Sequence, residues 1–308
     1  MGASLAPPDP RVAAAAAVRA PIVARPLLRT AAIGGRPPPP APPHDPPFSD
    51  PLVLSDALAR HPLLRLDEVT STNDVARRGV VDGHLGHGAV VLAQRQTAGR
   101  GRRGRAWVTV PRRGLAMSLV VQTPPLARLS RVTVLAAVAM CRALEQLGAP
   151  PLRIKWPNDL MRDDRKLGGL LCEPVVDRLG RGHLVLGLGV NLALRAGDLP
   201  PELAATATDA GLAWTPELPE HTLAAFLVEW DAALEDLGTP ADVLRGAEYA
   251  RRSWLDGRQV RVRDAGTPRA GRVVSITPDG DLVLATADGE HRLVGETTEL
   301  LDASAAAR

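Results

Sequence analysis

The chain has very little lysine, few aromatic residues and few cysteines, and each shortage narrows the kinds of protein it can be. Of its 37 lysine and arginine residues, only Lys155 and Lys166 are lysines. The two cysteines, Cys141 and Cys172, form no CxxC or Cys/His cluster, which argues against structural zinc and favours a reduced, cytoplasmic protein. Aromatic residues make up 3% of the chain, so aliphatic side chains must fill the core.

Long apolar runs are also missing. No stretch reaches the roughly 18–20 uninterrupted apolar residues that span a bilayer, so we predict no membrane partner. The 308 residues suffice for one large domain with a smaller one attached, and 45% hydrophobic with 23% charged residues is ordinary for a globular protein. The net charge of +3 and the pI of about 9.3 reflect the arginine excess and do not by themselves indicate a nucleic-acid partner.

Residues 1–50 differ in composition from the rest of the chain. They hold 13 of the 29 prolines, together with five arginines and three acidic residues. Proline at this density opposes an amphipathic helix, so we predict a disordered extension, with a targeting segment as the alternative. The segment contains no helix-turn-helix pattern, and no DNA partner is predicted.

From residue 51 onward the apolar pattern is globular. Glycines are expected to end two of the helices, at Gly79 and Gly148. The strand patterns lie close together without regular βαβ alternation, which indicates an α+β fold with a mixed β-sheet and helices packed on one face. The predicted strands are 63–66, 90–93, 115–121, 154–156, 167–176 and 184–192, and the predicted helices are 52–54, 74–78, 129–147, 219–237 and 241–250.

After Trp254 the pattern changes to short alternating strands. Turn signals separate them at residues 278–281 and 288–289, which predicts a small C-terminal SH3-like β-barrel. We place the boundary near Asp256-Gly257. The expected organisation is therefore an extension at 1–50, a main domain at 51–255 and a small β-domain at 256–303.

The first segment that could carry chemistry is the arginine loop, residues 99–105. Its backbone amides could form a nest for an anion, and its arginines would add positive charge. A solvated flexible loop and a nucleic-acid contact are the alternatives. The letters match GxGxxG, but residues 107–111 (WVTVP) do not open the helix that this dinucleotide fingerprint requires. The loop contains Gly99, Arg100, Gly101, Arg102, Arg103, Gly104 and Arg105.

The second segment contains both lysines. Lysine carries a compact, strongly hydrated charge, whereas arginine presents a planar fork. A site whose cation must stay in contact with one oxygen as that oxygen passes from a carboxylate to a phosphate therefore favours lysine. Lys166 is the candidate. Asn158 and Asp159 offer oxygen ligands suited to Mg²⁺. The alternative is a plain Asn-Asp turn beside an exposed lysine.

Two further segments combine polar side chains with apolar neighbours. Ser71-Thr72-Asn73 is typical of a helix cap, and that interpretation is favoured over ligand binding. Residues 187–191 (GLGVN) end an apolar strand at Asn191, which is either a strand-end turn residue or a nucleotide or metal ligand.

Taken together, these segments resemble the biotin–protein ligases. Order and spacing both match, and the resemblance covers about residues 60–300. It implies that biotin's carboxylate attacks the α-phosphate of ATP and that the biotinyl group then passes to a lysine of a carrier protein. The matching segments are Ser71-Thr72-Asn73, residues 96–105 with Trp107, residues 155–159 (KWPND), residues 166–171 (KLGGLL) and residues 187–191.

The resemblance also implies roles for individual residues, with Lys166, Arg100 and Arg102 as the catalytic ones. The implied biotin contacts are Ser71, Thr72, Asn73, Gln96, Arg100, Gly101, Arg102 and Lys166. The implied nucleotide contacts are Gly99, Arg103, Arg105, Trp107, Asn158 and Asn191, and Asp159 is the implied Mg²⁺ ligand. The implied acceptor is the biotin carboxyl-carrier domain of a biotin-dependent carboxylase.

Some features depart from the fuller family pattern, and alternatives stay open. Residues 1–50 cannot form the DNA-binding domain of repressor-type members, and residues 295–301 lack the basic residue that some members carry there. The nearest rival is a lipoate–protein ligase. A nucleic-acid-binding protein would need stacking aromatics beside the arginines, where only Trp107 lies. A non-catalytic biotin-binding regulator is a third alternative, and an exposed sheet edge would allow a homodimer.

Overall fold

A seven-stranded mixed sheet organises the main part of the molecule. The computed structural model describes residues 51–122 and 129–304, so the extension expected at 1–50 lies outside the described residues. The spatial order of the strands is β1-β2-β3-β7-β6-β5-β4, in which β1 and β2 are parallel and every other pair is antiparallel. The strands are β1 (Leu63–Val69), β2 (Val90–Gln96), β3 (Gly114–Gln122), β4 (Arg153–Lys155), β5 (Asp159–Arg162), β6 (Arg165–Val176) and β7 (Gly182–Asn191).

Helices cover both faces of this sheet. Met117 and Leu119 of β3 belong to the large core that α3 and α5 complete, whereas Val120 packs with Ala76 and Val80 of α2. Successive strand residues point to opposite faces, so α2 lies opposite α3. The mixed-sheet α+β fold is confirmed, with α2 on the face expected to be free of helices, because the central strands are apolar on both sides. The helices are α1 (Pro51–Arg60), α2 (Thr72–Asp82), α3 (Leu129–Gln146), α4 (Pro201–Ala204), α5 (Leu218–Glu235) and α6 (Pro240–Arg251).

Helix α2 begins where predicted but ends later. Ser71 occupies the N-cap position with an extended φ of −158°, yet its side chain makes no capping hydrogen bond. The expected end at Gly79 is wrong: the helix continues to Asp82, and Gly83 ends it with a left-handed φ of 77°. Gly79 meets a packing need instead, since a Cβ there would lie 2.5 Å from Leu85 Cδ1.

Strand β5 was not predicted, because four residues between two turns give too short a pattern. It pairs with β4 on one side and β6 on the other, which sets Asp159 opposite both Lys155 and Gly169. The Asn158-Asp159 pair therefore lies at a strand start. A cis peptide bond joins Trp156 to Pro157 in the β4–β5 turn.

A second, antiparallel sheet of five strands follows α6, as predicted for the C-terminal part. Its order is β11-β10-β9-β8-β12. Val262, Val273 and Leu284 from this sheet belong to the same hydrophobic core as Trp156 and Tyr249. No helix in the described part of the chain is long and apolar enough to cross a membrane. The strands are β8 (Gln259–Asp264), β9 (Thr267–Ile276), β10 (Leu282–Thr286), β11 (Gly289–Leu293) and β12 (Thr298–Ala303).

Candidate active site

One cavity of about 480 Å³ brings the predicted motifs together. Its wall comes from the start of α2, the arginine loop, the β4–β5 turn, and strands β6, β7 and β12. Of the predicted site residues, Gly99 alone does not line it. Those that do are Ser71, Thr72, Asn73, Gln96, Arg100, Gly101, Arg102, Arg103, Arg105, Trp107, Asn158, Asp159, Lys166 and Asn191.

Thr72, Asn73 and Gln96 form one part of the wall, and the fully buried Ser118 lies behind them. These four uncharged residues, called here the neutral end, are joined in a hydrogen-bonded network. The Thr72 backbone N–H donates to Gln96 Oε1 at 2.9 Å, and the Thr72 hydroxyl lies 3.2 Å from the same oxygen. The Ser118 hydroxyl lies 2.8 Å from Thr72 Oγ1 and 2.6 Å from Asn73 Oδ1. Asn73 Nδ2 donates to Glu173 Oε2 at 2.7 Å. Since Thr72 and Asn73 are at most 4% exposed, this network is preformed.

Two glycines of β7 make room for the side chains of the wall. A Cβ at Gly187 would lie 2.3 Å from Asn73 Oδ1, and a Cβ at Gly189 would lie 2.5 Å from the Trp107 ring. Residues two apart on a strand point to the same face, so both positions face the cavity. The GLGVN segment therefore needs glycine at 187 and 189 because other side chains occupy that space.

The arginine loop closes on itself through backbone bonds. Gly101 N–H donates to Arg105 O at 2.7 Å, and Trp107 N–H donates to Gly99 O at 2.8 Å. A Cβ at Gly99 would lie 2.7 Å from the Trp107 carbonyl, so Gly99 permits this close approach of two backbone segments. That position explains why Gly99 lies behind the cavity wall, while a nucleotide contact there stays a prediction.

Arg100 is held by carboxylates in the structure. Its two Nη atoms donate to the two oxygens of Asp74, each at 2.6 Å, and Nη2 lies 3.9 Å from Glu173 Oε2. The hydrogen bond with Asp74 raises the pKa of Arg100, and the same bond lowers the pKa of Asp74. Both groups stay charged, so an anion that binds Arg100 must compete with Asp74.

Arg102 reaches toward the second sheet. Its Nη2 donates to the carbonyl oxygen of Gly295, which precedes β12. Burial lowers the pKa of this guanidinium, and the positive charge of Arg103 lowers it further. The ordinary pKa of a guanidinium lies so far above neutral pH that Arg102 stays protonated.

Lys166 projects along the glycine-bearing start of β6. Its Nζ donates to Asp159 Oδ1 at 2.6 Å and lies 5.9 Å from the Trp107 ring centroid. A Cβ at Gly169 would lie 3.2 Å from Nζ, so glycine leaves room for the ammonium group. The Lys166 side chain is 39% exposed, and a ligand in the cavity can reach it.

The two predicted nucleotide asparagines use their amide groups to hold the protein backbone. Asn158 Nδ2 donates to Leu170 O at 2.6 Å, and Asn191 Nδ2 donates to Thr208 O at 2.9 Å. Both residues line the cavity, so contact with a ligand would involve their remaining donors and acceptors. Lys155 lies nearby, and burial lowers the pKa of its ammonium group.

The charged groups fit a magnesium ion that arrives with a nucleotide. No group of three or more His, Cys, Asp or Glu side chains suitable for a metal ion occurs among residues 51–122 and 129–304. Mg²⁺ commonly takes one or two protein carboxylates and completes its shell with phosphate oxygens and water. Asp159 provides one such carboxylate beside Lys166, so its predicted role as a Mg²⁺ ligand remains a proposal.

Three residues with clear parts in the site were not singled out from the sequence. Ser118 is a lone hydroxyl in an apolar run, and Glu173 is a carboxylate within a predicted strand, so both could have been recognised in the sequence as polar residues at buried positions. Glu299 could not be recognised from the sequence, since its partners in the arginine loop, Arg103 and Arg105, lie almost 200 residues away.

Comparison with known proteins identifies the family. Residues 66–191 match the model of the biotin/lipoate A/B protein ligase family. A biotin–[acetyl-CoA-carboxylase] ligase from Paracoccus denitrificans is 34% identical over 211 residues, which are 65% of this chain and 85% of that protein. The chain belongs to this family.

Other family members agree in sequence and in fold. A biotin–[acetyl-CoA-carboxylase] ligase from Mycobacterium tuberculosis is 31% identical over 205 residues, 63% of this chain and 70% of that protein. The solved structure of the Aquifex aeolicus biotin protein ligase in complex with biotin and ATP superposes with a TM-score of 0.67 at 25% identity. That match covers 78% of this chain and 98% of the other.

Proposed function

We propose that this family member is an ATP-dependent biotin–protein ligase. In the first step the carboxylate of biotin attacks the α-phosphate of ATP, pyrophosphate leaves, and biotinyl-5′-AMP forms. In the second step a lysine amine of the acceptor attacks the acyl carbon, AMP leaves, and an amide bond results. Both steps move negative charge through one small volume.

The observation that carries the proposal is the convergence of three cations on one cavity. Lys166, Arg100 and Arg102 come from two separate segments and all line it. Oriented cations at the place where charge develops stabilise the transition state, and the cavity wall fixes the geometry of attack. Lys166 is the group we assign to the reacting carboxylate and phosphate oxygens. Arg100 and Arg102 neutralise the charge that flanks them.

The neutral end favours biotin over lipoate as the acid that is activated. A ureido ring offers both N–H donors and a carbonyl acceptor, which match the hydroxyl and amide groups of Thr72, Asn73 and Gln96. The dithiolane ring of lipoate offers no such groups and would form no hydrogen bonds with this part of the wall, so it would bind there less favourably.

We assign the remaining components from the family resemblance and the chemistry of the site. Mg²⁺ would neutralise charge on the phosphates, and Asp159 would be its protein ligand. The acceptor is the biotin carboxyl-carrier domain of a biotin-dependent carboxylase. Cys141 is a buried free thiol and Cys172 a half-buried one, as in a reducing compartment, and we propose the cytoplasm.

ATP–pyrophosphate exchange with Mg²⁺ tests the first step. We expect exchange that requires biotin and is absent with lipoate or with neither acid. Exchange with lipoate instead would keep the reaction and change the substrate. Without exchange under any of the three conditions, the ligase proposal is wrong, provided the protein is folded by circular dichroism.

A further inference from the structure

The arginine loop has a partner in the second sheet, the carboxylate of Glu299 on β12. Arg103 Nη1 lies 3.4 Å from Glu299 Oε2, and Arg105 Nη2 lies 3.8 Å from Oε1. A third guanidinium, that of Arg263 on β8, lies 3.3 Å from Oε2. The Glu299 side chain is 19% exposed, whereas those of Arg103, Arg105 and Arg263 are 42%, 73% and 52% exposed, so a mostly buried carboxylate holds the inner ends of three solvent-facing arginines.

The backbone at the tip of the loop depends on such contacts. Arg103 has a φ of 58°, in the left-handed region that side-chain-bearing residues rarely adopt. A residue keeps this conformation where its surroundings hold it. Two of the holding contacts come from the second sheet and the segment before β12, namely the Arg103–Glu299 pair and the bond from Arg102 to the Gly295 carbonyl.

The balance of charge around Glu299 matters as much as the contacts. One carboxylate faces three guanidiniums, so it orients them without neutralising them. Thr298, Glu299 and Leu300 of β12 line the cavity together with Arg103 and Arg105. The wall at this point is net positive and already arranged, which suits a polyanionic ligand.

We propose that Glu299 is a positioning residue for the nucleotide. It docks the arginine loop onto β12 and presents Arg103 and Arg105 to the phosphate oxygens of ATP. The identity of the ligand rests on the proposed function, whereas the docking rests on the contacts above. The second sheet thereby takes part in nucleotide binding through an acidic residue, although residues 295–301 contain no basic one.

A simpler role for Glu299 would be to tie β12 to β8 through Arg263. The same pair of strands offers a matched control for that role. Asp302 Oδ2 accepts from Arg261 Nε at 2.6 Å across these strands, and neither residue lines the cavity. Asp302→Asn removes an ion pair of the sheet alone, and Arg263→Gln removes the sheet partner of Glu299 while leaving its loop partners.

The test uses full-length protein and the variants Glu299→Gln, Asp302→Asn and Arg263→Gln. Ligand-free protein is digested briefly with trypsin, and mass spectrometry follows cleavage after Arg102, Arg103 and Arg105. We expect loop cleavage in Glu299→Gln to rise about fivefold, the size expected for loss of a partly exposed ion pair. The KM for ATP in biotin-dependent exchange should rise by a similar factor, with a smaller change in kcat. The other two variants should behave like the wild type.

Two results would overturn the proposal. In one, Glu299→Gln matches Asp302→Asn in both loop cleavage and the KM for ATP. In the other, Arg263→Gln reproduces the effects of Glu299→Gln, which would assign the residue to the sheet. If Glu299→Gln is cut throughout the chain, Glu299→Asp replaces it, with the same expected direction. A wild type without exchange would refute the ligase assignment, while the digestion would still decide the docking.

Discussion

The neutral end and the arginine loop face the same cavity but are built differently. Thr72, Asn73 and Ser118 are at most 4% exposed and are joined by hydrogen bonds between uncharged groups. The arginine loop is held by ion pairs with carboxylates from α2, β6 and β12, and Arg103 has a left-handed backbone. A rigid, neutral wall suits a ligand part that stays unchanged, and adjustable cations suit the part whose charge moves during reaction.

The largest loss should follow from changing the cation that does not belong to the loop. Lys166→Arg keeps the charge but replaces a compact ammonium group with a planar fork, which cannot fit beside Gly169 and Asp159 in the same way. We expect kcat for exchange to fall about a hundredfold to a thousandfold. The exposed neighbour Arg165, changed to Gln, is the control and should retain activity. Activity of Lys166→Arg within a few-fold of wild type would contradict the role given to Lys166.

Two alanine variants on β7 can perturb the neutral end and the arginine-loop side of the cavity separately. Gly187→Ala places a methyl group against Asn73, and Gly189→Ala places one against the Trp107 ring. We expect Gly187→Ala to raise the KM for biotin and Gly189→Ala to raise the KM for ATP, each about tenfold or more, since small misplacements near a reacting centre are costly. Steady-state exchange with each substrate varied in turn measures both. Equal effects of the two variants on both constants would show that the ends are not separate.

A smaller effect should come from the hydroxyl at the centre of the neutral end. Ser118→Ala removes the single hydroxyl proton that can be donated to Asn73 Oδ1 or to Thr72 Oγ1, and the buried acceptor left without it should cost about 1–3 kcal/mol of stability. The KM for biotin should rise while the KM for ATP stays the same. Thr222→Val is the control, since its buried hydroxyl donates only to Leu218 O within α5, at 2.8 Å. Chemical denaturation and exchange kinetics together separate the two variants, and a Thr222→Val variant with an equally raised KM for biotin would refute the account.

The smallest effect concerns His61, which belongs neither to the neutral end nor to the arginine loop. His61 Nδ1 lies 2.8 Å from Gly88 O and Nε2 lies 3.0 Å from Asp231 Oδ1, so both ring nitrogens face acceptors. Burial, the largest single effect, lowers the pKa of His61, as does the charge of Arg60, but the hydrogen bonds to Asp231 and Gly88 together with the charge of Asp231 outweigh them, and the pKa of His61 is raised. Its contribution to stability is therefore complete below the unfolded value near 6.5 and is lost as the pH rises through the folded value.

We expect His61→Gln to lower the Tm by about 2–4 °C at about pH 5.5 and by less at about pH 8.5. The KM for biotin and the KM for ATP should match those of the wild type, since His61 does not line the cavity. A Tm difference that grows with pH would contradict the raised pKa. Thermal melts at the two pH values provide the measurement.

Much of the fold could be predicted from local patterns, and the differences have physical causes. Apolar runs located the long strands because burial on two faces leaves a strong signal. Strand β5 was missed because four residues are too few to show a period. The helix containing Gly79 was cut short because glycine in a helix and glycine at a helix end look alike in sequence, and only the contact with Leu85 tells them apart.

The candidate site divides in a similar way. The motif resemblance singled out fourteen residues that the structure brings to one cavity. The pattern could not show that the amides of Asn158 and Asn191 hold backbone carbonyls, because such bonds depend on the packed strands. The pairing of Glu299 with the loop is a tertiary contact over nearly 200 residues, and a single sequence holds no record of it.

The bond from the Trp156 indole N–H to the Gly280 carbonyl, 2.8 Å long, has a consequence for how the protein comes apart. Trp156 lines the cavity, lies 1% exposed and belongs to the hydrophobic core that Val262 and Leu284 also share. Unfolding of the second sheet would expose this indole to water and remove one wall of the cavity. In calorimetric terms, residues 51–304 should melt in a single endotherm, so loss of ligand binding and loss of the C-terminal sheet should occur at the same temperature.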